Sequence, residues 1–318
     1  MKKTKPQVAI VAVGGNALII DKQHEDVASQ ISAVEETCNH IADMITRGWN
    51  VIVTHGNGPQ VGFILRRNEL AYPEVHSTPL DVIGADTQGS IGYMLTRALD
   101  NEFKRRGISK SSAAVVTQVV VDGEDAGFKN PTKGIGGFTT KEKADIFTQE
   151  GWIVKEDAGR GWRRMIASPR PLKIVELDAI KNLIENEFVV VAVGGGGIPV
   201  VEDERGNLKG VYAVIDKDRA SSLLAAELKA DLLLISTAVE RVAINFNKPD
   251  QIWLDRMTLS EAKKLYAEGH FLSGSMGPKI EAIIAFLEAN PNGRGLVTDP
   301  PHIVDALDGK TGTWIVQD

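Results

Sequence analysis

The chain has 318 residues, with 36 lysines and arginines against 42 aspartates and glutamates, so its formal net charge is −6. Hydrophobic residues make up 43% of the sequence and charged residues 25%, values that exclude a disordered or collagen-like protein. The mildly acidic balance provides no global field for nucleic acid or for an anionic membrane. Any anion that the protein binds must therefore be held by local groups.

The cysteine content and the lengths of the apolar runs exclude further classes of protein. The single cysteine, Cys38, excludes an internal disulfide and a cysteine metal cluster. No stretch approaches the ~18 uncharged apolar residues of a membrane span, and the lysine-rich start predicts charge ahead of a first strand rather than a signal peptide. We therefore expect a cytoplasmic protein without a metal site of its own.

Apolar runs and helical spacings alternate along the first third of the chain. Residues 8–13 form an uninterrupted apolar run, which is typical of a strand buried on both faces. Apolar residues then recur at helical spacing over residues 31–45. A strand at 51–54, a helix that ends near Gly107 and a strand at 113–121 follow. This alternation predicts an α/β fold with a mainly parallel sheet and helices on both of its faces.

Residues 122–171, here called the insertion, interrupt this alternation. The segment is rich in glycine, lysine and arginine and lacks strong periodicity, which predicts a protruding lid. The alternation then returns, and the expected elements are a helix at 177–186, a strand at 188–193, a helix at 217–229, a strand at 232–236, a helix with the capping-box pair Thr258 and Glu261, a helix after Pro278, and strands near Leu296 and Trp314.

Three of the expected strands end in glycine-rich turns: GGN at 14–16, HGNGP at 55–59 and GGGG at 194–197. The carboxyl ends of parallel strands lie along one edge, where glycine lets backbone amides approach an anion. Each turn taken alone is explained as well by a tight strand-to-helix connection. The Walker pattern does not occur, and GxGxxG fails because Pro199 replaces its third glycine. The turns together therefore predict an unconventional phosphate site.

Three lysines are candidates for the positive charge that such a site needs. Lys217 stands between Asp216 and Asp218, Lys279 follows the sequence GSMGP, and Lys133 lies in the insertion. Taken alone, Lys217 also fits a surface ion pair, and Lys133 fits a solvated loop lysine.

Seven separated blocks, in order, resemble the carbamate kinases of the amino acid kinase family along nearly the whole chain. They are VGGNAL at 13–18, THGNGPQVG at 54–62, NPTKGIG at 130–136, GWRR at 161–164, VGGGGIP at 193–199, AVIDKD at 213–218 and GHFLSGSMGPK at 269–279.

The resemblance implies one amino acid kinase domain over residues 1–318, built as a three-layer αβα sandwich around a mainly parallel sheet, with the insertion at 122–171 as a protruding lid subdomain. It also implies a homodimer and reversible phosphoryl transfer between ATP and carbamate, with Mg²⁺ accompanying ATP or ADP. Such enzymes largely make ATP from carbamoyl phosphate and ADP during fermentation of arginine or related nitrogen compounds.

The family roles map onto matching positions of this sequence. The resemblance implies that Lys133, Lys217 and Lys279 contact the transferring phosphoryl group or the nucleotide phosphates, and that Asp218 orients these lysines. For the cradle of carbamate and the γ-phosphate it implies Gly14, Gly15, Asn16, Gly56, Asn57 and Gly58. For the nucleotide half it implies Gly194, Gly195, Gly196, Thr237, Met276 and Gly277.

Two places depart from the family pattern. Gly134 and Gly137 stand where many carbamate kinases have proline, which predicts a more flexible lid. Ala238 stands where relatives often have an acidic residue, which predicts an altered nucleotide affinity or preference. The alternatives are a kinase for a larger carboxylate such as acetylglutamate, a nucleotide-sensing regulator without catalysis, and a nicotinamide oxidoreductase. The HGNGPQVG loop and the block that ends at Lys279 favour the small substrate.

Overall fold

The computed structural model describes residues 6–15, 26–156, 161–271 and 275–318. Its central element, within these ranges, is an eight-stranded sheet. With strands numbered in chain order, its spatial order is β15 (Arg256–Thr258), β17 (Thr313–Val316), β16 (Arg294–Thr298), β12 (Leu232–Ser236), β1 (Val8–Val13), β2 (Asn50–His55), β9 (Val189–Val191) and β3 (Ser112–Ala114). The pairing between β16 and β17 is antiparallel and the other pairings are parallel, so the sheet is mainly parallel, as the sequence predicts.

Smaller sheets and the helices complete the described chain. The smaller sheets contain β4 (Gln118–Val121), β8 (Pro171–Ile174), β10 (Ile198–Glu202) and β11 (Leu208–Gly210); β5 (Lys133–Thr139), β6 (Val154–Glu156) and β7 (Trp162–Ile166); and β13 (Val242–Ile244) and β14 (Ile252–Leu254). The helices are α1 (Val27–Thr46), α2 (Gln60–Ala71), α3 (Leu80–Arg106), α4 (Ala126–Lys129), α5 (Lys141–Gln149), α6 (Leu177–Glu185), α7 (Lys217–Glu227), α8 (Leu259–Ala267), α9 (Gly277–Ala289) and α10 (Ile303–Leu307).

Two apolar layers enclose the main sheet. Alternate residues of β1 point to opposite faces, so Ile10 packs with helices α6, α7 and α9, and Val11 packs with α1, α3 and α10. The uninterrupted apolar run of β1 is therefore buried on both sides. This is the three-layer αβα sandwich that the resemblance implies. Cys38 lies in the α1 layer, and burial raises the pKa of its thiol.

Local signals in the sequence fix the ends of several helices. Asp26 caps α1 by accepting from the backbone amides of Ala28 and Ser29. Gly107 ends α3 in the left-handed conformation. The predicted capping box of Thr258 and Glu261 opens α8.

The single strand predicted at 113–121 is wrong, because the structure contains two strands in different sheets. β3 pairs with β9 in the main sheet, whereas β4 pairs with β10 in the four-stranded sheet. Between them, the backbone amide of Thr117 donates to the side chain of Gln88 at 2.7 Å instead of to a neighbouring strand. Apolar composition continues through the bend, so the hydrophobic pattern alone does not reveal it.

The insertion holds β5, β6 and β7, which form an antiparallel three-stranded sheet, together with α4 and α5. A small apolar cluster joins this sheet to the sandwich, where Ile135 and Ile166 pack with Val61 of α2 and Ile83 of α3. Gly62 of α2 lies so close to Gly136 of β5 that an added Cβ would overlap the Gly136 backbone. The backbone of the insertion is thus in direct contact with the backbone of the αβα sandwich at this point.

Among the described helices, none combines the length and apolar character that crossing a membrane requires.

Candidate active site

A cavity of about 220 Å³ lies at the carboxyl edge of the main sheet, beneath the first strand of the insertion. The turns after β1, β2 and β9 meet there, as the sequence predicts. The predicted site residues that line the cavity are Gly15, Gly56, Asn57, Gly58, Lys133, Gly195, Lys217, Asp218 and Lys279.

Asp218 lies between two of the lysines. Its Oδ1 accepts a hydrogen bond from Lys217 at 2.5 Å, and its Oδ2 accepts one from Lys279 at 3.2 Å. Asp218 is 3% exposed, so its carboxylate interacts mainly with these partners rather than with water. Because Lys217 opens α7 and Lys279 lies in the first turn of α9, this one carboxylate fixes the relative position of two helix N-termini.

Asp216, two residues before Asp218, makes a second set of contacts. Its Oδ1 caps α7 by accepting from the amides of Asp218 and Arg219. Its Oδ2 accepts a hydrogen bond at 2.5 Å from Lys133, which lies 83 residues earlier in the insertion. The same carboxylate therefore caps the start of helix α7 and holds the lysine of the insertion at the cavity.

The buried aspartates and lysines of the cavity shift one another's pKa values. Burial raises the pKa of Asp218, but the charges of Lys217 and Lys279 outweigh this effect and hold the pKa below its usual value. Burial likewise raises the pKa of Asp216, and Lys133 and Lys217 more than offset it. Burial lowers the pKa of Lys217, which Asp218 opposes and Lys279 reinforces. With both aspartates ionised, three lysines face two carboxylates, and the excess positive charge suits a bound anion.

The glycine turn at 194–197 packs tightly against the turn after β2. At Gly195, φ is +66°, and an added Cβ would overlap the side chain of Asn57. His55, which is 1% exposed, lies beneath Gly194, and its Nδ1 bonds to the Gly56 carbonyl at 2.9 Å. Because a carbonyl only accepts, Nδ1 carries the proton. Burial lowers the pKa of His55 to about 4, so the ring is neutral and structural at pH 7.

A second cavity, of about 110 Å³, adjoins the first and shares Ser275 and Lys279 with it. Thr237 and Met276, which the resemblance assigns to the nucleotide half, line this cavity together with Ala238. Its other walls are largely aromatic or apolar: Val239, Ala243, Phe246, Trp253 and Phe271. Arg241 and His270 also line it. A charged cavity and a largely apolar one therefore lie side by side, joined at Lys279.

Among the described residues, four predicted site residues do not line either cavity: Gly14, Gly194, Gly196 and Gly277. Gly14 is buried below the first cavity, and an added Cβ there would lie 2.9 Å from the Ser236 carbonyl oxygen. Gly194, Gly196 and Gly277 are also buried. Asn16 lies outside the described residues.

The carboxylates at the cavity do not form a cage for a metal ion. Both oxygens of Asp216 and of Asp218 already accept hydrogen bonds from lysines or backbone amides. In the described part of the chain, no group of three histidine, cysteine or acidic side chains is placed to hold a metal. Magnesium is compatible with such a site when it arrives on the phosphates of a nucleotide and keeps its waters.

Asp216 is the contact residue that sequence reasoning missed. In the DKD tripeptide, the sequence indicates Lys217 as a candidate for the positive charge. The resemblance gives an orienting role to Asp218 and none to Asp216. The available signal was local, because an aspartate just before a helix is a typical N-cap. Its pairing with Lys133 depends on the tertiary structure and leaves no mark in the sequence.

The chain is similar to known proteins along most of its length. The chain matches the amino acid kinase family over residues 7–294. It is 47% identical to the carbamate kinase of Thermococcus kodakarensis, covering 97% of this chain and 99% of that protein. It is 49% identical to the carbamate kinase-like protein YqeA of Escherichia coli, covering 97% and 98%.

A solved structure shares the fold over nearly its whole length. The carbamate kinase from Giardia lamblia bound to AMP-PNP superposes with a TM-score of 0.90 at 43% identity, covering 98% of this chain and 99% of that one. The family model, the relatives matched over nearly their full length and the shared fold all indicate the same family. The chain belongs to the amino acid kinase family.

Proposed function

We propose that the protein is a carbamate kinase, which transfers a phosphoryl group reversibly between ATP and carbamate and chiefly makes ATP from carbamoyl phosphate and ADP. The observation that carries this proposal is the meeting of Lys133, Lys217 and Lys279 at one cavity beside Asp216 and Asp218. Close relatives over the full length are carbamate kinases.

The reaction requires no general base from the protein. In the ATP-forming direction, a β-phosphate oxygen of ADP attacks the phosphorus of carbamoyl phosphate. A new P–O bond forms to ADP, the P–O bond to the carbamoyl group breaks, and carbamate leaves with that electron pair. The attacking oxygen and the leaving group are both anionic, so no proton has to move. Catalysis then depends on in-line positioning and on charge neutralisation.

The lysines supply that neutralisation in our proposal. Lys217 and Lys279 contact the oxygens of the transferring phosphoryl group, while Asp218 holds both ammonium groups at fixed positions. Lys133 closes the cavity from the insertion and is held by Asp216. Because these charges are in place before the substrate binds, little reorganisation is needed in the transition state.

The glycine turns complete the cradle. We assign Gly14, Gly15, Asn16, Gly56, Asn57 and Gly58 to carbamate and the transferring phosphate. In the nucleotide half we assign Gly194, Gly195, Gly196, Thr237, Met276 and Gly277. The adenine and ribose then occupy the apolar second cavity, with Lys279 at the junction next to the phosphates. Binding of AMP-PNP by the Giardia lamblia relative supports a nucleotide site in this fold.

Magnesium enters as part of the nucleotide substrate in this proposal, because the aspartates of the cavity already have lysine or amide partners. We further propose that the insertion at 122–171 acts as a lid subdomain on the single kinase domain of residues 1–318, and that the protein is a cytoplasmic homodimer. Fermentation of arginine or a related nitrogen compound would supply its carbamoyl phosphate.

The test is ATP formation by the purified protein from ADP, carbamoyl phosphate and Mg²⁺, followed with a luciferase assay. Omission of carbamoyl phosphate corrects for adenylate kinase contamination, and a Lys217→Met variant purified in parallel corrects for contaminating kinases. We expect ATP with the wild type and nearly none with the variant. No ATP at high enzyme concentration would contradict the proposal and would favour a nucleotide-binding regulator.

A further inference from the structure

Helix α3 presents two adjacent buried polar side chains, Thr87 and Gln88, to the turns around the first cavity. Thr87 is 0% exposed and Gln88 is 5% exposed. The Thr87 hydroxyl donates to Asn57 Oδ1 at 3.0 Å and to the Gly84 carbonyl at 2.8 Å. A hydroxyl has one proton, so this proton is shared between the two acceptors.

Gln88 makes three hydrogen bonds, one to the turn at 194–197 and two to the backbone of Thr117. Its Nε2 donates to the carbonyls of Thr117 and Gly194 at 3.0 and 2.9 Å, and its Oε1 accepts from the Thr117 amide at 2.7 Å. The Gly194 turn is therefore anchored to the same helix that contacts Asn57. Helix α3 therefore makes hydrogen bonds to both turns, the one that contains Asn57 and the one that begins at Gly194.

The Asn57 side chain occupies a defined place between these supports. It packs directly on the backbone of Gly195 and lines the cavity. Its Oδ1 is the acceptor of the Thr87 bond, and within the described part of the chain its Nδ2 has no protein acceptor. An anionic substrate oxygen needs a donor, so the amide is useful only when its nitrogen, and not its oxygen, faces the substrate.

We infer that Thr87 is a positioning residue for the phosphoryl transfer, which acts by fixing the orientation of the Asn57 amide at the cavity. This inference rests on the proposed function for its kinetic consequence, but the orientation itself is independent of which substrate binds. Loss of the hydroxyl leaves Asn57 Oδ1 without its donor and allows the amide to rotate.

The kinetic test compares Thr87→Val, which removes the hydroxyl at nearly constant shape, with Thr87→Ser, which keeps it. We expect kcat/KM for carbamoyl phosphate to fall about tenfold in Thr87→Val and to stay near the wild-type value in Thr87→Ser. Thr96→Val is the matched control, because among the described residues the Thr96 hydroxyl bonds only to carbonyls of its own helix, those of Gly92 and Tyr93. Equal losses in Thr87→Val and Thr87→Ser would overturn the inference.

A double-mutant cycle with Asn57→Ala separates positioning from general destabilisation. If Thr87 acts through Asn57, adding Thr87→Val to Asn57→Ala changes kcat/KM no further. A second loss of about tenfold in that background would mean that Thr87 acts by another route and would overturn the inference.

A spectroscopic test does not depend on activity. The side-chain amide signal of Asn57 in a ¹H–¹⁵N spectrum, assigned by its loss in Asn57→Asp, should shift in Thr87→Val and stay unchanged in Thr96→Val. An unmoved signal in Thr87→Val would overturn the inference. If the signal moves but the wild type makes no ATP from carbamoyl phosphate, the proposed function fails and the positioning contact stands.

Discussion

The Asp216 carboxylate accepts a hydrogen bond from Lys133 at 2.5 Å and so joins the start of helix α7 to strand β5 of the insertion. The other oxygen of this carboxylate caps the helix that carries Lys217 and Asp218. One side chain thus connects the insertion to the most buried charges of the cavity.

Asp216→Asn should separate these two functions. Asparagine caps a helix about as well as aspartate, so helix α7 should keep its N-cap. The charge that holds Lys133 is lost, and we expect kcat/KM to fall at least tenfold. Asp26→Asn is the matched control, because Asp26 caps α1 in the same way and is exposed. Wild-type activity in Asp216→Asn would show that Lys133 needs no such anchor.

Lys279→Ala should lower turnover by about 10², the usual cost of removing one charged donor from a transition state. The fold should survive, because Lys217 still pairs with Asp218 after the change. Steady-state kinetics and circular dichroism measure the two effects. Lys263→Ala, which removes an exposed ion pair with Glu288, should leave both unchanged. Near-normal turnover in Lys279→Ala would exclude its role in phosphoryl transfer.

Gly62→Ala should displace the insertion, because the new Cβ would overlap the Gly136 backbone. We expect kcat/KM to fall about tenfold, since Lys133 follows the insertion away from the cavity. Gly89→Ala is the control on helix α3, where an added Cβ has open space. It should be neutral or stabilising by up to about 1 kcal/mol. Unchanged kinetics in Gly62→Ala would show that the contact is not required.

The pH dependence of stability should contain a contribution from His55. Its pKa is about 4 in the folded chain, below the usual 6.5, so the unfolded chain binds the proton more tightly. The contribution of the neutral His55 ring to the free energy of unfolding is present above pH 6.5 and is lost as the pH falls toward 4. Between pH 7 and 5, the unfolding free energy should fall by about 2 kcal/mol more in the wild type than in His55→Asn. Denaturant titrations measure this difference, and parallel slopes for the two proteins would refute it.

The sequence was informative where the signal is local or carried by family motifs. The apolar run of β1, the capping box of Thr258 and the glycine after α3 predicted elements that the structure contains. The convergence of the three lysines followed from the resemblance. The bond between Gln88 and Thr117, which divides the expected strand at 113–121, and the pairing of Asp216 with Lys133 join residues far apart in the chain, so neither has a local pattern.

The most direct test of the central claim is a ³¹P spectrum of the purified protein with carbamoyl phosphate, ADP and Mg²⁺. We predict that the carbamoyl phosphate signal decreases while the γ-phosphate signal of ATP increases in equal amount, and that neither change occurs at an appreciable rate with Lys217→Met. Conversion of carbamoyl phosphate into inorganic phosphate alone, with no γ-phosphate signal, would contradict the assignment of this cavity to phosphoryl transfer between carbamate and the nucleotide.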